Sequence, residues 1–109
     1  MEAHSPVSGA KVKEALGRAL GLKGSLERTR REIQEQERQL KAITDDQVRL
    51  RANLKEMPAT AAAYKRYLEK FDQQETQIEK FQAGIKELQT TEHRQKKELD
   101  DFLASFSAE

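Results

Sequence analysis

The sequence predicts an all-α protein, an antiparallel hairpin of two long helices that pack as a coiled coil. Three observations predict it: a composition typical of long helices, a seven-residue repeat of apolar positions, and a break in that repeat at Pro58. Charged residues make up 36% of the 109 residues and hydrophobic residues another 36%, with only 5 glycines and 2 prolines. Two paired helices share a narrow core, so this modest apolar content is sufficient for them.

Apolar residues recur at the a and d positions of heptads on both sides of Pro58. The first repeat is read from Leu26, and the second is read from Tyr64 in a different phase. In an antiparallel pair an a position faces a d position, so the residue numbers of facing pairs add up to a constant. Pairing Leu54 with Tyr67 sets this sum at 121. With this sum, most apolar core residues of the first helix face apolar core residues of the second. The predicted core comprises Leu40, Ile43, Leu50, Leu54, Tyr67, Phe71, Ile78 and Phe81.

Polar residues interrupt the repeat at a few core positions. The same constant places Gln47 opposite Gln74, where we expect the two amides to hydrogen-bond with each other. Further from the turn it places Glu92 opposite Thr29, and we expect this glutamate to extend from the edge of the core into water.

Pro58 sets the expected turn. Proline lacks a backbone N–H and disfavours helix in the residue before it, whereas the alanine-rich stretch that follows favours a new helix. A short connection of this kind makes neighbouring helices antiparallel. The expected elements are helix one over about 11–57, the turn over about 58–61 and helix two over about 61–106.

The first residues are harder to assign. Residues 1–10 are small and polar and contain proline and glycine, so we expect a disordered leader. Residues 11–24 either continue helix one, with Ala15 and Ala19 facing aromatic residues of helix two, or form a separate short amphipathic helix that carries Val12, Leu16 and Leu20.

Catalysis and cofactor binding are not expected. His4 and His93 have no second ligand at metal-binding spacing, and the chain has no cysteine, no phosphate-binding loop and no catalytic triad pattern. With 20 basic and 19 acidic residues the net charge is +1, which does not favour nucleic acid or an anionic membrane as a partner. We therefore expect no enzyme activity, no cofactor, no metal and no small-molecule substrate.

Two sets of residues outside the predicted core are candidate interaction surfaces. Leu16, Leu20 and Leu103 gather near the chain ends, where an upstream domain or a second hairpin would cover them. Two hairpins can pair in this way into a four-helix bundle, which is a homodimer. Near the turn, the cations Arg49, Arg51 and Lys65 either form a recognition tip or stabilise the turn, with Arg51 covering Leu68.

A basic cluster suggests an alternative partner. Glutamates interleave with its residues, which favours a mixed-charge surface over a nucleic-acid site. The cluster comprises Arg28, Arg30, Arg31, His93, Arg94, Lys96 and Lys97.

The stretch from Val12 to Phe106 resembles a known family through four segments: EALGRAL (14–20), QVRLRANLKEMP (47–58), YKRYLEKFDQQETQIE (64–79) and LDDFLASF (99–106). It is similar to the helical hairpin near the C-terminus of uncharacterised bacterial proteins related to the mucoidy inhibitor. The resemblance implies that the chain is a module of a larger bacterial protein with β-rich regions. It implies no catalytic residues.

Taken together, the sequence predicts a structural or protein-interaction module, acting as a rigid spacer or as an oligomerisation or docking arm. Its expected partner is a protein, either a second copy or the upstream domain. One alternative is a nucleic-acid-binding helical arm. Another is a coiled coil between chains, in which the two helices open at Pro58.

Overall fold

The computed structural model describes residues 6–107, which form two helices, α1 (Pro6–Glu56) and α2 (Ala62–Ser107). Of these described residues 95% are helical, and none is in a strand. The protein is an all-α helical hairpin, as the heptad repeats predicted.

Helix α1 begins at Pro6, earlier than residue 11, where the composition suggested a start. Residues 6–10 are therefore helical, and the expectation of a disordered leader is wrong for them; residues 1–5 lie outside the described part. Proline suits the first helical position because its missing N–H has no intrahelical acceptor there. Helix α1 continues through residues 11–24 without interruption, so this segment is not a separate helix.

The connection between the helices is tight. Helix α1 ends at Glu56, and the Ala61 N–H donates a hydrogen bond of 3.0 Å to the Pro58 carbonyl oxygen. This bond spans three residues, as in a β-turn. The Tyr64 N–H then donates to the Ala61 carbonyl oxygen at 3.0 Å, in the first turn of α2. The break in the heptad repeat at Pro58 thus coincides with the reversal of the chain.

The hairpin divides into two compact units, which we describe separately. The turn-end unit is Glu32–Glu87, and the open-end unit comprises the described residues up to Arg31 and from Leu88 onward. All buried side chains in the described part lie at predicted a or d positions. They are Ile33, Gln47, Leu50, Gln74, Ile78 and Ile85 in the turn-end unit and Leu22, Leu26 and Thr29 in the open-end unit. The remaining predicted core residues, Leu40, Ile43, Leu54, Tyr67, Phe71 and Phe81, are half-buried.

Cross-helix contacts show the relative direction of the two helices in each unit. In the turn-end unit, Arg51 contacts Phe71 and Gln47 contacts Glu75, so a step back along α1 is matched by a step forward along α2. In the open-end unit, Arg30 lies 2.9 Å from Glu92, and Arg18, earlier in α1, lies 4.0 Å from Glu98. The two helices are therefore antiparallel in both units.

Candidate interaction surface

Three leucines of the open-end unit are exposed beside the core, and we call them the leucine flank. Leu16 and Leu20 on α1 are 56% and 68% exposed, and Leu103 on α2 is 42% exposed. Leu16 and Leu103 occupy e positions of their heptads, and Leu20 occupies a b position. In an antiparallel pair the e positions of both helices lie on the same side, so the three leucines belong to one face. The structure thus leaves exposed the residues that the sequence suggested as a docking site.

The core of the open-end unit is only partly buried at the end farthest from the turn. Val12 and Phe106 occupy core positions of the repeat, yet they are 46% and 36% exposed. The Phe106 ring stacks on Phe102, with the ring centroids 6.4 Å apart and the planes within 6° of parallel. Phe106 therefore packs along its own helix in addition to facing α1, and it adds to the exposed apolar surface of this unit.

The opposite side of the open-end unit carries an open groove of about 540 Å³. It is lined by the charged residues Lys11, Glu14 and Arg18 of α1 and by Phe102 and Phe106 of α2. Among the described residues, no group of three or more His, Cys, Asp or Glu side chains is placed to hold a metal ion. The groove is a mixed polar and apolar surface.

A second, smaller apolar area lies in the turn-end unit, where Val48 is 64% and Leu68 is 45% exposed. The Arg51 guanidinium lies over the Phe71 ring, 5.5 Å from its centroid; that Arg51 also covers Leu68 stays a prediction. An aromatic face attracts a cation, whereas an aliphatic side chain does not.

The other two cations near the turn differ from each other. The Arg49 Nε donates to Asp46 Oδ1 at 2.9 Å, and this hydrogen bond raises the pKa of Arg49. Lys65 is exposed. Two of the three cations of the suggested recognition tip thus make contacts within the chain, which favours a structural role for them.

The two core glutamines do not hydrogen-bond with each other as expected. Gln47 Nε2 donates to Glu75 Oε1 at 2.9 Å, and Gln74 Nε2 donates to Asp46 Oδ2 at 2.6 Å. The Gln74 Oε1 atom is buried and has no hydrogen-bond partner. A carboxylate is a stronger acceptor than an amide oxygen, so each glutamine bonds to a carboxylate of the opposite helix instead.

These carboxylates are residues that the sequence reasoning missed. Asp46 directly precedes Gln47 and Glu75 directly follows Gln74, so both border the core and can reach across it. The signal was a carboxylate adjacent to each core glutamine. Hydrogen bonds from Arg49 and then from Gln74 lower the pKa of Asp46, and Lys70, 3.7 Å away, acts in the same direction.

Three of the seven residues of the basic cluster are paired with carboxylates. Arg30 Nε donates to Glu92 Oε2 at 2.9 Å, so Glu92 does not simply extend into water beside Thr29. Lys96 and Lys97 donate to aspartates one turn later, at 2.7 and 2.6 Å, and the second of these bonds raises the pKa of Lys97. This pairing produces the mixed-charge surface that the interleaved acidic residues predicted.

No helix in the described part is long and apolar enough to cross a membrane. Comparison with protein-family models, with curated proteins and with solved structures gave no match. The fold and the surface define the class of this protein: a two-helix hairpin with an exposed leucine flank. The resemblance to the mucoidy-inhibitor-related family stays a prediction.

Proposed function

We propose that this chain is a non-enzymatic protein-interaction module, a helical docking arm that binds a second copy of itself through the leucine flank. The product is a four-helix bundle made of two hairpins. The observation that supports the proposal is the exposure of Leu16, Leu20 and Leu103, which lie on one face and are 56%, 68% and 42% exposed.

The heptad positions of these leucines favour a second hairpin as the partner. Helices that pair only with each other need apolar residues at a and d, whereas helices in a bundle carry them at a neighbouring e or g position too. Leu16, Leu68 and Leu103 supply apolar e positions. Covering the exposed part of each flank leucine would contribute on the order of 1 kcal/mol.

The test is the solution mass of the chain, measured by light scattering after size exclusion over a range of concentrations. We expect the mass of a dimer, and we expect L16E/L20E to restore the monomer because carboxylates do not pack against an apolar surface. The matched control is A42E/Q73E, which adds two carboxylates at exposed c positions on the side of the helices away from the leucine flank, and it should remain dimeric.

A monomer at every concentration would contradict pairing between copies. The partner of the flank would then be another domain, such as the upstream region that the family resemblance implies, and the hairpin would act as a spacer or arm of that larger protein.

A nucleic-acid-binding arm is the second candidate, and one observation favours it. Between residues 11 and 31, seven residues are basic and two are acidic, although the whole chain is nearly neutral. Binding to RNA or DNA that weakens steeply with salt would support this candidate. Several carboxylates oppose it, because Glu92 and Glu98 lie within 4.0 Å of arginines of this segment.

A further inference from the structure

Four residues form a polar layer across the core of the turn-end unit: the buried Gln47 and Gln74 and, at the border of the core, Asp46 and Glu75. The two glutamines are 6% and 7% exposed, and each donates a hydrogen bond to a carboxylate of the opposite helix, at 2.9 and 2.6 Å. The two bonds are reciprocal, one from α1 to α2 and the other from α2 to α1. Both hydrogen bonds form only in one alignment of the helices, because each glutamine must lie at the same height along the hairpin as its carboxylate.

Other alignments of the same helices would take both carboxylates away from these amides. A slip by one heptad, about 10 Å along the helix, places Gln47 opposite Phe81 and Gln74 opposite Leu54, and it puts the neutral amides of Gln82 and Asn53 in place of Glu75 and Asp46. A slip in the other direction places Gln47 opposite Tyr67 and Gln74 opposite Leu40, with Leu68 and Gln39 in place of the two carboxylates. An amide oxygen is a weaker acceptor than a carboxylate and leucine accepts no hydrogen bond, so both slips weaken the hydrogen bonds of the two buried amides. An apolar layer would not discriminate in this way, since leucine packs acceptably against most apolar neighbours.

The turn also opposes such a slip, because Pro58 and the hydrogen bond from Ala61 fix where the chain reverses. To slip in the first direction the chain would lose the first turns of α2, which begin with alanines at positions 62 and 63. The core between the helices offers few other barriers to a slip, since most of its facing pairs are apolar in both alignments.

We infer that the polar layer selects the register of the hairpin, giving up some core stability to exclude slipped pairings. Its consequence for the surface is direct: a slipped α2 would move Leu103 away from Leu16 and Leu20, and the leucine flank would not assemble. The inference depends on the turn-end unit alone, and it stands whether or not the flank binds a second copy.

The test exploits the absence of cysteine from the chain. Two double-cysteine reporters are made, each able to form a disulfide within one chain. I43C/I78C pairs residues that face each other in the observed register. I43C/I85C pairs residues that face each other only after a slip of one heptad. Each reporter is equilibrated in a glutathione redox buffer, and the intrachain disulfide is quantified by mass spectrometry.

With the polar layer intact, we expect the first reporter to oxidise and the second to stay reduced. In a Q47L/Q74L background we expect the slip reporter to oxidise at least tenfold more, while the thermal midpoint rises because the new core is apolar. The matched control is Q36L/Q95L, which also replaces two core glutamines but leaves the polar layer in place. It should keep the slip reporter reduced.

A slip reporter that stays reduced in the Q47L/Q74L background would overturn the inference, because the apolar layers and the turn would then suffice to fix the register. Oxidation to the same extent in the Q36L/Q95L control would also overturn it, by showing that any added leucine loosens the alignment. Circular dichroism confirms that all variants remain helical. The solution mass of wild-type chain tests the proposed dimer separately, so the two proposals can fail independently.

Discussion

The turn-end and open-end units are built from the same heptad repeat, yet they bury their core residues to different degrees. In the turn-end unit the Leu50 side chain is 0% exposed, and the two core glutamines Gln47 and Gln74 are buried as well. In the open-end unit Leu22 and Leu26 are buried, whereas Val12 and Phe106 remain 46% and 36% exposed at core positions.

The difference teaches that a repeat alone does not close a two-helix core. Ala15 and Ala19 are the α1 residues that face Phe106 and Phe102, and an alanine covers little of a facing aromatic ring. Beyond Leu22 the helices continue, but their apolar surface stays in contact with water. The open-end unit therefore keeps apolar surface exposed at core positions of its repeat.

The largest effect expected from this comparison is the loss of a core leucine. L50A should lower the free energy of unfolding by about 2–5 kcal/mol, because it leaves a cavity at a fully buried site. L20A, at a side chain that is 68% exposed, should change it by less than about 0.5 kcal/mol. Urea denaturation followed by circular dichroism at low protein concentration measures both. Equal losses would mean that the leucine flank is already covered in solution.

Much of the fold could be predicted because helical periodicity fixes the direction of each Cβ atom. The all-α hairpin, the turn at Pro58 and the positions of all buried residues in the described part follow from the heptads. The ends of long side chains could not be predicted in the same way. Arg51 can reach Leu68 or Phe71, and Gln47 can reach Gln74 or Glu75, so the partner depends on small differences in acceptor strength and ring position.

The sequence reasoning also missed the helical start at Pro6. Small and polar residues with a proline and a glycine are typical of disordered leaders, but a helix that is already long gains further turns without a new nucleation cost.

The next effect concerns the stability of α1 in the open-end unit. Gly17 and Gly21 are helical, and a Cβ atom added at either would meet nothing within 4 Å. G17A and G21A should each raise the free energy of unfolding by about 0.5–1 kcal/mol, because alanine loses less backbone entropy in a helix. The control is G84A in the turn-end unit, where the added Cβ would lie at ordinary contact distance, 3.8 Å, from Gln36 Oε1. A gain at Gly84 without one at Gly17 and Gly21 would show that the open-end part of α1 unfolds on its own.

A smaller effect distinguishes a structural from a recognition role for the cations near the turn. R51Q should lower the free energy of unfolding by about 0.5–1 kcal/mol, since it removes the cation from the Phe71 ring. K65Q, at an exposed lysine, should leave it unchanged. Thermal denaturation of both variants against wild type is the measurement. An unchanged thermal midpoint in R51Q would mean that Arg51 does not stabilise the fold, and it would favour a recognition role for this residue.

The smallest expected effect is the pH dependence that Asp46 gives to the turn-end unit. Hydrogen bonds from Arg49 and then Gln74 lower the pKa of Asp46 below its ordinary value of 3.8. A carboxyl whose pKa is lower in the folded state stabilises that state fully above its unfolded pKa, and this stabilisation is lost as the pH falls through the folded pKa. The urea midpoint should therefore fall with acid below about pH 4, and it should fall less in D46N.

Glu35 provides the contrast that makes this measurement specific to pairing between the helices. Hydrogen bonds from Arg38 and then Gln39 lower the pKa of Glu35 to about 2, but both partners lie on its own helix. Such bonds are lost when urea unfolds the helix, so E35Q should also reduce the acid sensitivity, whereas only D46N reduces it by removing a contact between the helices. If instead D46N kept the acid sensitivity of wild type and E35Q lost it, the acid response would report local helix stability. The bond from Gln74 to Asp46 would then contribute nothing measurable to the closure of the turn-end unit.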